Sequence, residues 1–143
     1  MGGLTADLVH GSCVALGGRG LLILGPSGSG KSTLALKLIA TGATLVADDQ
    51  VRLRRAGSGV VASAPERLAG MIEARGVGLL RADFLAETLL VLVVDLARKE
   101  PDRLPPFRHI PVLGCTLDLV SGAGNPHLET ALLQWLRGGG RVG

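Results

Sequence analysis

The residues with the clearest capacity for chemistry form the run GPSGSGKST, which follows the apolar run LLIL. The run matches G-x-x-x-x-G-K-[ST] in full, and a segment with helical apolar spacing comes after it. Glycines allow a tight turn that aims backbone N–H groups inward, and the following helix start adds partial positive charge. Lys31 could contact β- and γ-phosphate oxygens, and Ser32 could ligate Mg²⁺. The run predicts a nucleotide phosphate site formed by Gly25, Pro26, Ser27, Gly28, Ser29, Gly30, Lys31, Ser32 and Thr33.

Such a site also needs a carboxylate at the end of a neighbouring strand, and the sequence offers two candidates. Asp95 ends the apolar run LVLVVD, whereas Asp48 and Asp49 end the shorter run TLVADD. Either could instead be structural, as a strand-end cap or a turn residue. Two adjacent carboxylates repel each other if both are buried, and a metal ion or a shared proton would relieve this, which favours chemistry at the pair. The residue pattern alone leaves both candidates open.

The elements that must position these groups follow an α/β pattern. Helical spacing covers 33–40 and 126–137, and the segment 66–74 is interpreted as helical or irregular. Strands are predicted at 8–16, 21–24, 43–49, 76–80, 88–96 and 109–120, with a break possible at Gly114, and a hairpin at 50–55 and 60–63. The most hydrophobic strand, 88–96, is expected to be central. We therefore predict one P-loop-containing α/β domain over 1–137, with a mainly β core flanked by helices, and a flexible glycine-rich tail over 138–143.

Composition excludes several classes of function. Aromatic residues make up 2% of the 143 residues, so few rings could stack on nucleic-acid bases, and the net charge of +3 comes without a basic block. The longest apolar run, LLVLVV, is too short to span a bilayer. Cys13 and Cys115 have neither metal-site nor disulfide spacing. No nucleic-acid partner, no membrane partner and a cytoplasmic location are the expectations.

Several short segments together resemble the catalytic domain of the HPr kinase/phosphorylase family. They are HGSCV, GPSGSGKSTLALKLI, GATLVADDQV, EARGVGLL and PDRLP, and their order and approximate spacing match. Members of this bacterial family phosphorylate a serine of the phosphocarrier protein HPr, and many also remove that phosphate by phosphorolysis. The resemblance therefore implies a Mg-ATP-dependent protein serine kinase in its short, single-domain form, with an HPr-like partner.

The resemblance also implies roles for individual residues. Asp49 corresponds to the catalytic aspartate, which accepts the serine proton in the kinase direction and returns it in the reverse. Lys31 and Arg103 correspond to the cations at the transferred phosphate. His10 corresponds to the active-site histidine, which would position a phosphate or the aspartate.

The resemblance also implies a set of metal-binding residues and an oligomeric state. Ser32 and Glu73 correspond to the positions that hold Mg²⁺ beside ATP, and the resemblance selects Asp49, the second of the two adjacent carboxylates, over Asp95. A homo-oligomer, a hexamer in the family, is implied, although the family's C-terminal helical region is reduced here to one helix.

One further expectation concerns the reverse reaction, in which the serine phosphate is removed. The family's late arginine-bearing loop, which is linked to phosphorolysis, corresponds here to the uncharged IPVLGCTL, so phosphorolysis is predicted to be weak or absent. Two rival functions remain open at this point: a small-molecule kinase or generic P-loop NTPase that uses Asp95, and a nucleotide-sensing regulatory module without turnover.

Overall fold

The computed structural model describes residues 3–143. It is a mixed α/β fold dominated by a curled sheet, with two helices and one 3₁₀ turn at Glu66–Leu68. The strands are Leu8–His10 (β1), Ser12–Leu16 (β2), Arg19–Leu24 (β3), Thr44–Ala47 (β4), Gln50–Ala56 (β5), Gly59–Ser63 (β6), Met71–Ala74 (β7), Gly78–Arg81 (β8), Glu87–Asp95 (β9), His109–Val112 (β10) and Cys115–Ser121 (β11), and the helices are Lys31–Ala40 (α1) and Leu128–Gly138 (α2). The predicted mainly β core is confirmed.

The central strand of the sheet is β9, as its hydrophobicity predicts. The strand order is β1-β5-β6-β9-β3-β2-β4, and β7 and β8 form a separate hairpin. The first half of β9 pairs antiparallel with β6, and its second half pairs in parallel with β11 on that same edge, while β3 runs parallel along the other edge. The carboxyl ends of β3, β9 and β11 therefore meet in one row at Leu24, Asp95 and Ser121.

The two faces of the sheet have different cores. Successive residues of a strand point to opposite faces, so Leu21 and Ile23 of β3 pack against α1 and α2, whereas Leu22 packs among strands alone. Both helices consequently cover one face, and the sheet curls over itself on the other. Cys13 lies in the strand-only core, where burial raises the pKa of its thiol.

Two predicted elements differ from the structure, and a third shows the break that the sequence indicates. The segment 8–16 is two strands rather than one, because the chain breaks at Gly11, where a side chain would lie 2.7 Å from the carbonyl oxygen of Ile23. The segment 109–120 is likewise two strands, and the break occurs at Gly114 as expected. The helical or irregular interpretation of 66–74 is wrong for its second half, which is strand β7 in antiparallel pairing with β8.

The end of the chain contacts the loop between β9 and β10. Helix α2 extends one residue past the predicted boundary at Arg137, to Gly138. The Arg141 guanidinium donates to the carbonyl oxygens of Pro105 and Pro106 and lies 4.2 Å from the centre of the Phe107 ring. Whether the tail is flexible in solution stays a prediction. Within residues 3–143, neither helix has the length and apolar character needed to cross a membrane.

Candidate active site

The glycine-rich loop, residues 25–30, joins the buried strand β3 to α1. Three of its glycines have positive φ angles, which favour glycine: 152° at Gly25, 83° at Gly28 and 96° at Gly30. A side chain at Gly25 would also lie 2.5 Å from the Ser29 hydroxyl oxygen. The backbone N–H of Leu34 donates to the Gly30 carbonyl at 2.9 Å, which closes the first turn of α1. The predicted strand, loop and helix are therefore present in the predicted order.

Lys31, the first residue of α1, extends back across this loop. Its side chain is 7% exposed, and its ammonium donates to the carbonyl oxygens of Gly25 at 2.7 Å and Pro26 at 3.0 Å. These contacts hold a cation beside the backbone N–H groups of the helix start. The positive end of α1 and the ammonium together form an anion-attracting surface.

Asp48 connects three elements at the end of β4. It is 4% exposed, and its Oδ1 atom accepts hydrogen bonds from the hydroxyls of Ser12 and Ser32, both at 2.7 Å. Its Oδ2 atom accepts the backbone N–H of Glu73 at 2.9 Å. One buried carboxylate thus links β2, α1 and β7. The sequence pattern offers Asp48 only as one of two adjacent candidate carboxylates and assigns no role to Ser12, although both residues lie inside segments that carry the family resemblance.

We expect Asp48→Ala to destabilise the fold. The substitution removes the acceptor oxygens of three donors, of which the Ser12 hydroxyl belongs to a buried residue, and a buried donor without a partner costs about 1–3 kcal/mol. Urea denaturation should show a free energy of unfolding lower by about that amount. Asp83→Ala, which removes an exposed carboxylate, is the matched control. Equal stability of the two variants would contradict the linking role of Asp48.

Asp49 faces solvent although it directly follows a buried aspartate. Its φ angle of 69° lies in the left-handed region, which aspartate tolerates better than most residues, and its carbonyl accepts the backbone N–H of Gly11 at 3.1 Å. Its Oδ1 atom lies 3.4 Å from Nε2 of His10, with the two side chains 66% and 49% exposed. Only one carboxylate of the pair is therefore buried, which avoids the repulsion expected for two.

A cleft of about 400 Å³, which we call the carboxylate cleft, collects most of the predicted site residues. Its lining includes His10, Lys31, Ser32, Asp49 and Glu73, together with several residues of the glycine-rich loop. The sequence separates these groups by up to 63 positions, and the ends of β1 and β4, the start of α1 and strand β7 bring them together.

Five other candidates lie outside the lining of this cleft in the described part of the chain, residues 3–143: Gly25, Pro26 and Ser29 of the glycine-rich loop, and Asp95 and Arg103. The Asp95 carboxylate accepts the backbone N–H of Ala97 at 2.9 Å, which is the strand-end cap considered from the sequence. Arg103 is exposed in the β9–β10 loop. Arg108 and Glu100 fasten that loop through two hydrogen bonds of 2.7 and 2.8 Å, and Arg108 thereby lowers the pKa of Glu100. The proposed role of Arg103 stays a prediction.

The donor set of the carboxylate cleft fits a magnesium ion. Ser32 and Glu73 bring oxygen atoms, the ligands that Mg²⁺ prefers, and Asp48 adds a carboxylate that already contacts both residues. Across residues 3–143, no group of three His, Cys, Asp or Glu side chains is arranged to hold a metal. Mg²⁺ commonly uses one or two protein ligands and completes its shell with phosphate oxygens and water.

Comparison with known proteins identifies the family. The family described as "HPr Serine kinase C-terminal domain" matches residues 4–103. The chain belongs to this family. The matched stretch contains every candidate site residue, from His10 to Arg103, so the carboxylate cleft lies wholly inside the HPr serine kinase C-terminal domain.

Individual relatives agree with this assignment. The HPr kinase/phosphorylase of Alkaliphilus metalliredigens is 38% identical over 138 residues, covering 87% of this chain and 45% of the relative. That of Bordetella pertussis is 38% identical over 120 residues, covering 78% of this chain and 38% of the relative. The chain thus spans less than half of either relative.

One solved structure shows the same fold. The Hpr(Ser) kinase/phosphatase from Coxiella burnetii superposes with a TM-score of 0.80 at 23% identity, covering 94% of this chain and 96% of that one. At this identity the likeness is one of fold. It extends beyond the family match to residues after 103, which include β10, β11 and α2.

Proposed function

We propose that this domain is a Mg-ATP-dependent protein serine kinase that phosphorylates an HPr-like phosphocarrier protein in the bacterial cytoplasm. The observation that carries the proposal is the exposed carboxylate of Asp49, paired with His10, in the same cleft as Lys31 and Ser32. A base beside a phosphate-binding loop is what a phosphoryl transfer to a hydroxyl requires. Membership of the HPr serine kinase family supports the choice of acceptor.

The proposed reaction uses the residues as follows. The triphosphate lies on the backbone N–H groups of residues 28–33, and Lys31 neutralises charge on its terminal oxygens. Asp49 accepts the proton of the incoming serine hydroxyl as that oxygen bonds to the terminal phosphorus and the bond to the ADP oxygen breaks. Ser32 and Glu73 would hold Mg²⁺, which supplies charge neutralisation when bound.

Two residues would act on these groups from farther away. His10, at 3.4 Å from Asp49, would orient the carboxylate. Arg103 would reach the transferred phosphate only if the β9–β10 loop, fastened by Arg108 and Glu100, approached the cleft. A homo-oligomer, a hexamer by family resemblance, remains a prediction of the same proposal.

Labelled ATP tests the proposed activity directly. The protein is incubated with Mg²⁺, γ-labelled ATP and a panel of acceptors that includes HPr and an HPr variant with alanine at the acceptor serine. Label on HPr, but not on the variant, is the expected result. Transfer to a small molecule or to water would favour a generic NTPase, and binding without turnover would favour a nucleotide sensor.

We expect phosphorolysis to be weak in this chain. Inorganic phosphate would have to bind beside phosphoserine, and two crowded anions need additional cations. The uncharged turn at Leu113 and Gly114 lies seven to eight residues before Ser121, which ends β11, and is therefore roughly 20–25 Å from the row of strand ends that leads into the glycine-rich loop. That turn can therefore bring no cation to the cleft of its own chain.

The measurement supplies serine-phosphorylated HPr and inorganic phosphate without ADP and follows pyrophosphate. Release should be much slower than forward transfer by the same preparation. A comparable rate would contradict the expectation and would direct attention to other basic residues, with Arg108 as the first to replace.

A further inference from the structure

A second cleft lies on the other side of the start of α1. It has a volume of about 350 Å³, within the roughly 300–1,000 Å³ typical of small-molecule sites, and we call it the helix cleft because α1 and α2 form two of its walls. It shares Gly30 and Thr33 with the carboxylate cleft. The two clefts thus adjoin at the first turn of α1, one to either side of the residues expected to bind phosphate.

We propose that the helix cleft binds the nucleoside end of the nucleotide, an inference that rests on the proposed function. A terminal phosphoryl group can be transferred to a hydroxyl only if it faces the base, and Asp49 lies in the carboxylate cleft. The rest of the nucleotide must then extend away from Asp49 along the backbone of residues 28–33. The helix cleft is the space that adjoins this backbone on that side.

The lining of the helix cleft suits a nucleoside. Leu34, Leu96 and Leu128 provide an apolar surface for the faces of a base, and the edge carries Glu129, a hydrogen-bond acceptor. A carboxylate there can accept from a base amino group or a ribose hydroxyl. The Ser29 hydroxyl oxygen, in the wall of the same cleft, is buried and has no hydrogen-bond partner within the described chain.

The far wall, residues 122–126, is preformed. The backbone N–H of Gly122 donates to the Asp95 carbonyl at 2.9 Å, and that of Ala123 to the Arg98 carbonyl at 2.8 Å. A side chain at Gly122 would lie 2.8 Å from atoms of both Val94 and Leu128, so glycine permits this close packing. A wall fixed in this way loses little conformational freedom on binding, which favours affinity.

The test compares ATP with tripolyphosphate, which has the phosphates but no nucleoside. Ala123→Trp fills the helix cleft, and Ala131→Trp, on the exposed face of α2, is the matched control. With Mg²⁺ present, calorimetry should show ATP binding weakened about tenfold or more by Ala123→Trp and tripolyphosphate binding changed by less than about twofold. Ala131→Trp should change neither.

A milder substitution guards against misfolding of the tryptophan variant. Glu129→Ala removes only the acceptor at the edge of the cleft and should weaken ATP binding while leaving tripolyphosphate binding unchanged. The inference is overturned if Ala123→Trp leaves ATP affinity unchanged, or if folded Ala123→Trp weakens both ligands equally. If the unmodified protein binds neither ligand, the proposed function itself fails, and that outcome is distinguishable from the other two.

Discussion

Replacing Lys31 with alanine is expected to abolish phosphoryl transfer. The ammonium is the one cation described inside the carboxylate cleft that is also held against the glycine-rich loop, through the carbonyls of Gly25 and Pro26. Loss of a single preorganised group that stabilises transition-state charge costs about 10²–10³-fold in rate, and here the same group also contributes to triphosphate binding. Labelled transfer to HPr and calorimetric ATP titration measure the two losses separately.

The fold should survive this change. Lys31 begins α1, and alanine is a strong helix former, while the two loop carbonyls it releases lie at residues exposed or half-exposed to water. Lys99→Ala removes an exposed lysine from the β9–β10 loop and serves as the charge control. If a folded Lys31→Ala protein transferred phosphate at the wild-type rate, the interpretation of the glycine-rich loop as a nucleotide phosphate site would be wrong.

Asp49→Asn is expected to lower serine phosphorylation by about 10²–10⁴-fold, the usual cost of losing a general base. Asparagine preserves the shape of the side chain and tolerates the left-handed backbone at this position, where φ is 69°, better than alanine would. ATP affinity and the free energy of unfolding should change little, because the carboxylate is exposed and its side chain lies against that of His10. Single-turnover transfer separates the chemical step from nucleotide binding.

Asp95→Asn is the matched carboxylate control. Its Oδ1 atom accepts from the Ala97 N–H, a bond that an asparagine oxygen can also make, so transfer should change much less than in Asp49→Asn. A larger loss of turnover in Asp95→Asn would reverse the assignment and favour a generic NTPase.

The sequence predicts these features of the fold and the site because residues that are close together in the chain determine each of them. The glycine-rich loop needs glycines where its φ angles are positive, and an unbroken apolar run identifies β9. The glycine at position 114 marks the break between β10 and β11. Strand β7 is different. Met71, Glu73 and Ala74 have good helix propensity, so local preference indicates the wrong state.

The interactions that decide β7 come from distant parts of the chain. Pairing with β8 and the hydrogen bond from the Glu73 N–H to Asp48 hold this segment extended. The linking role of Asp48 is hidden for the same reason, because its partners Ser12, Ser32 and Glu73 are 36, 16 and 25 positions away. A single sequence shows that two carboxylates are adjacent, but the burial of one and the exposure of the other depend on the assembled sheet.

The divided pairing of β9 has a consequence for biosynthesis. The strand is complete at Asp95, yet the partner of its second half, β11, is complete only at Ser121. Until then the uncharged, proline-free residues 91–94 have one open edge, and such a segment has the composition of aggregation-prone strands. During translation this edge stays open while at least 26 more residues are added. Fragments that stop between residues 96 and 121 would therefore be lost to aggregation, and an expression boundary belongs after β11.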